Sequence, residues 1–265
     1  METTAFLIDV LVNLAATIPV LLIGLVSGWV SRYVYERRQI RQIFGLRHNR
    51  IHIVLGTPLH IAPGTNRPRK TSGVPIATIG TVYAYQYVAN LLQRAYPQMR
   101  DLRFYFSEDF PAAFYGDNLI LIGFPKTNLV TREVMQRLEP PVVFVDHVLV
   151  DRASGDRYQA QISGLDIVED YGCLIRACNP YNPASVVFIL AGSQTYGMKA
   201  AAQYLDMLCE TGASRWSPLL AFGRRVRGSV RQATEVLPRF YQFVVRVKVQ
   251  RYYTSHPEIV ARHSL

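Results

Sequence analysis

An uncharged run near the N-terminus constrains this chain more than any other feature, because no charged residue lies between Asp9 and Arg32. Residues 10–30 read VLVNLAATIPVLLIGLVSGWV. At about 1.5 Å per residue, a helix of this length crosses a hydrocarbon core about 30 Å thick. We therefore predict a transmembrane helix over residues 10–30. A cleaved signal peptide fits less well, because the preceding METTAFLID contains no Lys or Arg.

A basic segment follows the apolar run. Residues 32–50 carry a net charge of +5, which by the positive-inside rule places the C-terminal side in the cytoplasm and the N-terminus outside. We therefore predict an anchor (1–31) in the inner (plasma) membrane, a basic juxtamembrane segment (32–50) and a cytosolic α/β domain (51–265). The side chains expected to contact anionic lipid headgroups are Arg32, Arg37, Arg38 and Arg41.

Two glycines within the predicted span have a spacing that allows close helix pairing. Gly24 and Gly28 form a small-xxx-small pair, which lets two membrane helices approach each other. Self-association through these residues is one interpretation. The other is a plain lipid-facing pair, since glycine is common in membrane helices.

The distribution of charge narrows the class of protein. The chain carries +10 overall, but residues 51–221 are neutral and a second basic segment, 222–251, carries +7. Two local basic surfaces favour contact with the inner leaflet. We do not expect nucleic-acid binding, because 222–251 has no recognisable recognition helix or aromatic stacking platform.

Cysteine and histidine spacing provides no scaffold for a metal or a disulfide. Cys173, Cys178 and Cys209 form neither an even framework nor a Cys-x-x-Cys pair, and the six histidines lack metal-ligand spacing. We predict no metal site and three reduced cysteines, as expected in the cytoplasm.

From residue 51, short apolar runs alternate with amphipathic ones, which is typical of an α/β domain. We predict a Rossmann-like or flavodoxin-like, mainly parallel sheet with an antiparallel hairpin, preceded by one transmembrane helix. The expected strands are 51–55, 102–106 and 118–122, the helices 79–95, 130–138 and 198–208, and the hairpin is formed by VVFVDHVLV and RYQAQI. Residues 241–249 alternate as an edge strand would.

Three loops with small or hydroxyl residues follow predicted strands: Gly56-Thr57-Pro58, Gly123–Asn128 and Gly192–Gly197. In open α/β sheets, ligands bind outside the carboxyl ends of the strands. The candidate ligand-binding residues are Gly56, Thr57, Gly123, Lys126, Thr127, Asn128, Gly192, Ser193, Thr195 and Gly197. None of the loops matches a Walker or G-x-G-x-x-G pattern, so ordinary strand-to-helix turns are the alternative interpretation.

Three carboxylates are candidate catalytic residues: Asp117, Glu133 and Asp170. A nucleotide-cleaving enzyme needs a carboxylate that faces the sugar, although Glu133 near a helix N-terminus also suits the helix dipole. Arg176 in the middle of a strand lies either on a solvated face or beside a buried carboxylate such as Asp170.

Two stretches carry a resemblance to a known domain: DNLILIGFPKTNLVTREVMQRL and EDYGCLIRACNPYNPASVVFILAGSQTYGMKAAAQYL. Over residues 116–208 they resemble a Rossmann-like domain of largely uncharacterised prokaryotic proteins, with a Gly-Gly-Pro-x-x-Asn loop, an Asp-Tyr-Gly strand, an Asn-Pro-Phe-Asn-Pro turn and an Ala-Gly loop. Phe124 replaces the second glycine of the first loop. The resemblance implies attachment to a membrane helix or a DNA-binding module, and it implies no particular reaction. The residues it implies for the crevice are Gly123, Pro125, Asn128, Asn179, Pro180, Asn182, Pro183, Gly192 and Gly197.

These observations predict a membrane-anchored cytosolic sensor or effector that binds a small anionic, nucleotide-like ligand. The alternatives are a nucleotide or nucleoside hydrolase or transferase that uses the same crevice, and a non-enzymatic scaffold held against the membrane. The sequence identifies neither the ligand nor a cofactor.

Overall fold

The computed structural model describes residues 2–46, 50–57, 77–98, 102, 104–214, 238–251 and 253–265, with side chains for all of these except 2–21 and 211–214. The helices are α1 (Glu2–Phe44), α2 (Ile79–Ala95), α3 (Leu129–Leu138) and α4 (Thr195–Ser214), with a 3-10 turn at Ala112–Phe114. The strands are β1 (Ile51–Leu55), β2 (Phe104–Phe106), β3 (Asn118–Ile122), β4 (Val142–Val145), β5 (Val148–Asp151), β6 (Arg157–Tyr158), β7 (Gln161–Ser163), β8 (Asp166–Asn179), β9 (Asn182–Gly192), β10 (Tyr241–Gln250), β11 (Tyr253–Thr254) and β12 (Glu258–Ser264).

A mixed α/β sheet forms the centre of the molecule. Strands β2, β1, β3 and β9 run parallel in that order, and β8, β10 and β12 continue the sheet as antiparallel neighbours. Strands β4, β5 and β6 form a separate antiparallel sheet. The predicted hairpin is therefore present only in part: VVFVDHVLV folds into both β4 and β5, Arg157 and Tyr158 pair with β5, and β7 pairs with β8 instead. The α/β class with a mainly parallel central sheet is therefore confirmed.

Two apolar layers cover the main sheet because its strands alternate their side chains between two faces. On one face, Ile53, Ile120 and Phe188 pack against α2, α4 and the end of α1. On the other face, Leu121 and Ile189 pack against α3 and the small sheet.

The prediction of an edge strand at 241–249 is wrong. Strand β10 pairs with β8 on one side and with β12 on the other, and Tyr241 to Val245 are buried. In the sequence, Arg246 and Lys248 resemble the solvated face of an edge strand. In the structure they are polar because they lie toward the exposed end of β10. Fully buried Gln242 also bonds the backbone N–H and C=O of Val142 in β4, at 2.9 and 2.7 Å, so it holds the two sheets together.

Helix α1 enters the core of the domain with its last turn. Ile40, Ile43 and Phe44 are buried, and the Phe44 ring lies 5.0 Å from that of Phe188 in β9. The Nε of Arg41 donates to the carbonyl of Ala95, the last residue of α2, at 2.9 Å. The Arg41 guanidinium thus satisfies a carbonyl at the C-terminus of α2, where a positive charge also interacts favourably with the helix dipole.

The preceding turns of α1 expose large apolar side chains. Leu25 is 70% exposed, Trp29 is 69% exposed, and the Trp29 ring stacks on Tyr33 at 5.9 Å. Within the described residues, no helix is both long enough and apolar enough to cross a bilayer. The side chains of residues 10–21 lie outside the described residues, so the predicted span over 10–30 stays a prediction.

Helix α1 meets the domain at the end opposite to the loops that follow β1, β3 and β9. It packs beside the C-terminal ends of α2 and α4, where Arg94 lies 3.5 Å from Glu36 of α1 and 3.7 Å from Asp206 of α4. Since α2 and α4 begin at the carboxyl ends of β1 and β9, their C-terminal ends lie toward the amino ends of the strands. We call these the carboxyl edge and the amino edge.

The contact between Phe44 and Phe188 provides a test of this docking. Replacing Phe44 with Ala leaves a cavity in the core, and we expect the free energy of unfolding to fall by about 3–5 kcal/mol. Val34→Ala on the same helix is the control, because Val34 is exposed and an exposed substitution changes stability by less than about 0.5 kcal/mol. Denaturant unfolding of the full chain in detergent measures both. Equal effects of the two substitutions would contradict the docking of α1.

Candidate functional site

The structure brings the three predicted loops together at the carboxyl edge. The N–H groups of Gly56 and Thr57, after β1, donate to the carbonyls of Ile122 (2.8 Å) and Thr127 (2.9 Å), while that of Gly123 donates to Leu190 at 2.9 Å. Helix α2, which follows β1, and helix α3, which follows β3, lie on opposite faces of the sheet, so this edge contains the topological switch point where open α/β sheets place ligands.

Asn128 binds the loops after β1 and β3 to each other. Its fully buried side chain donates to the carbonyls of Val54 (3.0 Å) and Ile122 (3.2 Å) and accepts from the N–H of Thr131 at 3.0 Å. The amide thus caps α3 and joins the two strand ends. The observed role of Asn128 is to shape the floor of the edge.

Gly123 and Phe124 explain the shape of the second loop. Gly123 has a φ of 130°, and a Cβ there would lie 3.2 Å from the Cα of Gly56, so this approach requires glycine. The Phe124 ring packs 4.9 Å from His147 and 6.1 Å from Phe144 of the small sheet. The phenylalanine that stands at position 124, where the resembled loop has glycine, therefore packs against the small sheet. Lys126 is exposed, and the Thr127 hydroxyl donates to the carbonyl of Phe124 at 3.2 Å.

The side chain of Asp170, in β8, binds the N-terminus of α4. Its buried carboxylate accepts the N–H groups of Tyr171 (2.8 Å), Gln194 (3.1 Å) and Gly197 (2.5 Å). A helix N-terminus attracts anions, and here the anion is a side chain of the same protein. Burial raises the pKa of Asp170 to about 6, against the opposing effect of these hydrogen bonds.

The remaining third-loop residues make close contacts with their neighbours. Ser193 is buried, and its hydroxyl donates to the carbonyl of Tyr158 in β6 at 3.4 Å. A Cβ on Gly192 would lie 2.7 Å from the carbonyl oxygen of Gln194. The carbonyl oxygen of Thr195 would lie 2.5 Å from a Cβ on Gly80, so the N-termini of α2 and α4 meet here. The third loop is therefore closely packed, and the N–H groups of Ser193, Gln194 and Gly197 already donate within the chain.

The end of β2 adds residues that sequence reasoning missed. The Thr57 hydroxyl donates to Glu108 Oε1 at 3.1 Å, and Ser107 is 6% exposed, with a buried hydroxyl that has no partner among the described residues. Both residues directly follow β2. The only signal in the sequence is an acidic residue, Glu108, just after a predicted strand, and such a residue is also common in ordinary loops.

The three candidate carboxylates do not converge. Asp117 lies 2.9 Å from His52 Nε2 at the amino edge, and Glu133 accepts from the Tyr181 hydroxyl at 2.5 Å. Burial, and then Glu133, raises the pKa of Tyr115 to about 12. Tyr181 lies in the turn before β9, so Asp117 and Glu133 belong to the amino edge, whereas Asp170 belongs to the carboxyl edge.

Arg176 follows neither of its two expected arrangements. It is buried, and within the described residues its guanidinium and the Asp170 carboxylate each bond backbone groups and do not pair with each other. Its Nη1 donates to the carbonyl of Arg239, and a Cβ on Gly45, just after α1, would clash with its guanidinium. Burial lowers the pKa of Arg176. The cation therefore lies at the negative end of the α1 dipole.

Comparison with known proteins adds no family to this geometry. No protein-family model and no curated protein matches the chain. The resemblance of residues 116–208 to a prokaryotic Rossmann-like domain stays a prediction.

The surroundings of Asp170 predict a defined pH dependence. Its pKa in the folded chain lies above the ordinary 3.8, so its contribution to stability is greatest below pH 3.8 and is lost as the pH rises through about 6. Asp170→Asn places an amide NH2 against N–H donors, and we expect a loss of about 1–3 kcal/mol at pH 4.5. The loss should be smaller at pH 7.5.

Denaturant unfolding of the full chain at both pH values measures the difference between wild type and variant. Asp166→Asn is the control, because Asp166 is an exposed carboxylate at the start of the same strand. A difference for Asp170→Asn that stays constant or grows between pH 4.5 and 7.5 would contradict the assigned pKa direction.

Proposed function

We propose that this chain is a single-pass, membrane-anchored cytosolic domain of Rossmann-like or flavodoxin-like type that acts as a sensor or effector. In this proposal a small anionic, nucleotide-like ligand binds at the carboxyl edge. The observation that carries the proposal is the unbroken helix α1, which exposes Leu25 and Trp29 and then buries Phe44 in the domain core.

The exposed apolar side chains of α1, such as Leu25 and Trp29, need a partner that shields them from water. A cluster of large apolar side chains on a protruding helix marks a membrane or protein contact, and Trp29 and Tyr33 are of the type found at membrane interfaces. The adjacent uncharged residues 10–21 extend the apolar run. A bilayer accounts for both features, with the N-terminus outside and residues 32–265 in the cytoplasm.

The four juxtamembrane arginines divide into two groups. Arg41 donates to Ala95 and lies over the Tyr96 ring at 5.3 Å, while Arg37 lies over the Tyr33 ring at 5.2 Å. Arg38 is exposed, and Arg32 pairs with Glu36 at 3.1 Å on the surface. We infer that Arg32 and Arg38 provide most of the contact with anionic headgroups, while Arg41 also fastens α1 to α2.

Self-association through α1 is part of the same proposal. A Cβ added to Gly24 or Gly28 would meet no atom within 4 Å. These positions therefore leave room for a second copy of the helix to approach closely.

The ligand is placed where the carboxyl edge has polar groups facing solvent. Asn128 accepts the N–H of Thr131, and Asp170 accepts those of Gln194 and Gly197. The exposed Lys126 and the N-terminus of α2 remain. Thr78 caps α2 by accepting from the N–H of Thr81 at 3.3 Å. A phosphate or carboxylate group between Lys126 and this helix end would meet positive potential from both.

A scaffold held against the membrane is the second candidate function. It is favoured by the occupation of the loops after β3 and β9 by the chain's own Asn128 and Asp170. A hydrolase or transferase gains less support, because Asp117 and Glu133 lie at the other edge of the sheet.

The anchor predicts retention in the membrane. We expect the full chain, expressed in a bacterial host, to remain in the membrane pellet after alkaline carbonate extraction. The double substitution Leu21→Lys/Leu22→Lys, near the centre of the predicted span, should release it, because each central lysine costs about 2.5–3.5 kcal/mol in a bilayer. Protease should reach the domain in inverted vesicles and leave it intact in spheroplasts.

The control for the anchor is Ile162→Lys/Leu165→Lys, which changes two exposed apolar residues of the β7–β8 hairpin. This variant should stay in the pellet. Release of the unchanged chain by carbonate, or digestion of the domain in spheroplasts, would contradict the anchor or its orientation.

Ligand binding predicts a rise in stability. A nucleotide at about 100 times its Kd should stabilise the full chain in lipid nanodiscs by about 2.7 kcal/mol, measured by thermal unfolding across a panel of nucleotides. Lys126→Gln should weaken binding several-fold, whereas Lys248→Gln, on the exposed end of β10, should not. The absence of any shift across the panel would contradict the ligand and favour the scaffold.

A further inference from the structure

Two neighbouring polar side chains join the main sheet to the small sheet. Gln242 of β10 and His263 of β12 are cross-strand partners. Gln242 bonds both backbone groups of Val142 in β4, and His263 Nε2 lies 2.8 Å from the Oδ2 of Asp151 in β5. Val142 and Asp151 are themselves partners in the antiparallel pairing of β4 with β5. The two contacts therefore lie side by side, and we call them the clasp.

Asp151 keeps its position and its charge independently of His263. It is 4% exposed, and its Oδ1 accepts the N–H groups of Ala153 (2.9 Å) and Ser154 (3.4 Å) in the turn after β5. Burial favours the protonated form, but these N–H groups, and then His263, hold the pKa of Asp151 below its ordinary value. The carboxylate is therefore ionised throughout the range, around pH 6.5, in which an ordinary histidine titrates.

The strength of the contact between His263 and Asp151 depends on the proton of the imidazole. A neutral imidazole has one N–H to donate to the carboxylate, whereas a protonated imidazole donates from both nitrogens and carries a positive charge. Protonation therefore turns a hydrogen bond to an ion into an ion pair with the same geometry. Since the Asp151 carboxylate is buried, this attraction is screened less than at an exposed pair.

Other ionisable groups near the clasp do not change charge in the same range or lie away from His263. Arg262, the next residue along β12, lies over the Phe243 ring on the opposite face of the main sheet. Arg152 and Asp156 of the turn after β5 are exposed. Burial, and then Asp156 and Asp151, raises the pKa of Tyr158, so its hydroxyl keeps its proton.

The small sheet has one histidine of its own, His147. It lies in the turn between β4 and β5, at the end of β5 opposite to Asp151. Its ring packs 4.9 Å from Phe124, and Phe144 of β4 lies 6.1 Å from the same ring. The small sheet thus supports the loop after β3 at one end and is held by the clasp at the other.

We propose that the clasp is a pH-sensitive device, in which protonation of His263 tightens the small sheet against the main sheet. Above the histidine range the contact with Asp151 weakens, while Gln242 still holds Val142. The small sheet then opens more often, as a local event that leaves the rest of the fold intact. This device requires neither the ligand nor the membrane anchor.

Hydrogen exchange of the full chain in detergent, at pH 5.5 and at pH 8.0, tests the clasp. The measured quantity is the protection factor of peptides that cover β4 to β6, because this ratio removes the pH dependence of the chemical exchange step. We expect the protection factors to be about fivefold larger at pH 5.5, since hydrogen bonds between two charged groups are stronger than those with one neutral partner.

His263→Gln and Asp151→Asn should each remove this pH dependence, because neither variant can form the ion pair. The glutamine amide can still donate to Asp151, so His263→Gln keeps the uncharged form of the clasp and decides the test should Asp151→Asn fail to fold. His256→Gln is the control, because His256 is exposed between β11 and β12, and it should keep the dependence.

Equal protection of the unchanged chain at both pH values would overturn the device. A pH dependence that survives His263→Gln would also overturn it and would assign the effect to His147. Loss of the dependence in His256→Gln would contradict the assignment to the clasp in the same way.

Discussion

The burial of Phe44 against Phe188 is the contact on which the arrangement of α1 and the rest of the domain depends. An exposed apolar helix joined to a domain by a flexible linker would hold the domain near a membrane without orienting it. Here α1 remains helical until Phe44, and its last turn forms part of the core. Any tilt or rotation of the helix must therefore displace core side chains, and close-packed cores resist such changes. The domain and its helix form one mechanical unit.

Backbone N–H groups at the carboxyl edge that already donate to side chains of the chain itself limit what this edge can bind. The loops after β1, β3 and β9 have the residue types of an anion site, yet Asn128 bonds the carbonyls of Val54 and Ile122, and Asp170 accepts the N–H groups of Gln194 and Gly197. The burial of Asp170 costs free energy, and its raised pKa reflects that cost. The N–H groups of Tyr171, Gln194 and Gly197 offset part of the penalty, and those of Gln194 and Gly197 fix the start of α4. The binding capacity of the edge shifts accordingly toward β1, β2 and the N-terminus of α2.

The elements of the fold were more predictable from the sequence than the roles of individual polar residues. Helix α2 has the predicted bounds, and β1 and β3 were read correctly because buried parallel strands are continuous apolar runs. The interior position of β10 was missed because Arg246 and Lys248 resemble a wet strand face. The role of Asp170 could not be predicted, since its partners Gln194 and Gly197 are distant in the chain and meet it only through the pairing of β8 with β9. Glu108 was missed for the same reason, because only the parallel pairing of β1 and β2 brings it to Thr57.

Helices α2 and α4 connect the two edges of the domain. Their N-termini meet at Gly80 and Thr195, beside the proposed ligand. Toward the other edge, Ala95 and Arg94 of α2 contact α1, and Asp206 of α4 pairs with the same Arg94. A helix transmits a shift along its axis because its backbone hydrogen bonds keep its length nearly constant. A ligand that changed the spacing of the two N-termini would therefore move the surface on which α1 packs. In the proposed sensor, Arg94 is the point where this movement reaches Glu36 of the anchor helix, because one guanidinium bridges α4 and α1. A coupling of this kind requires two states with different affinity for the ligand, and the joint at Gly80 and Thr195 is where those states would differ.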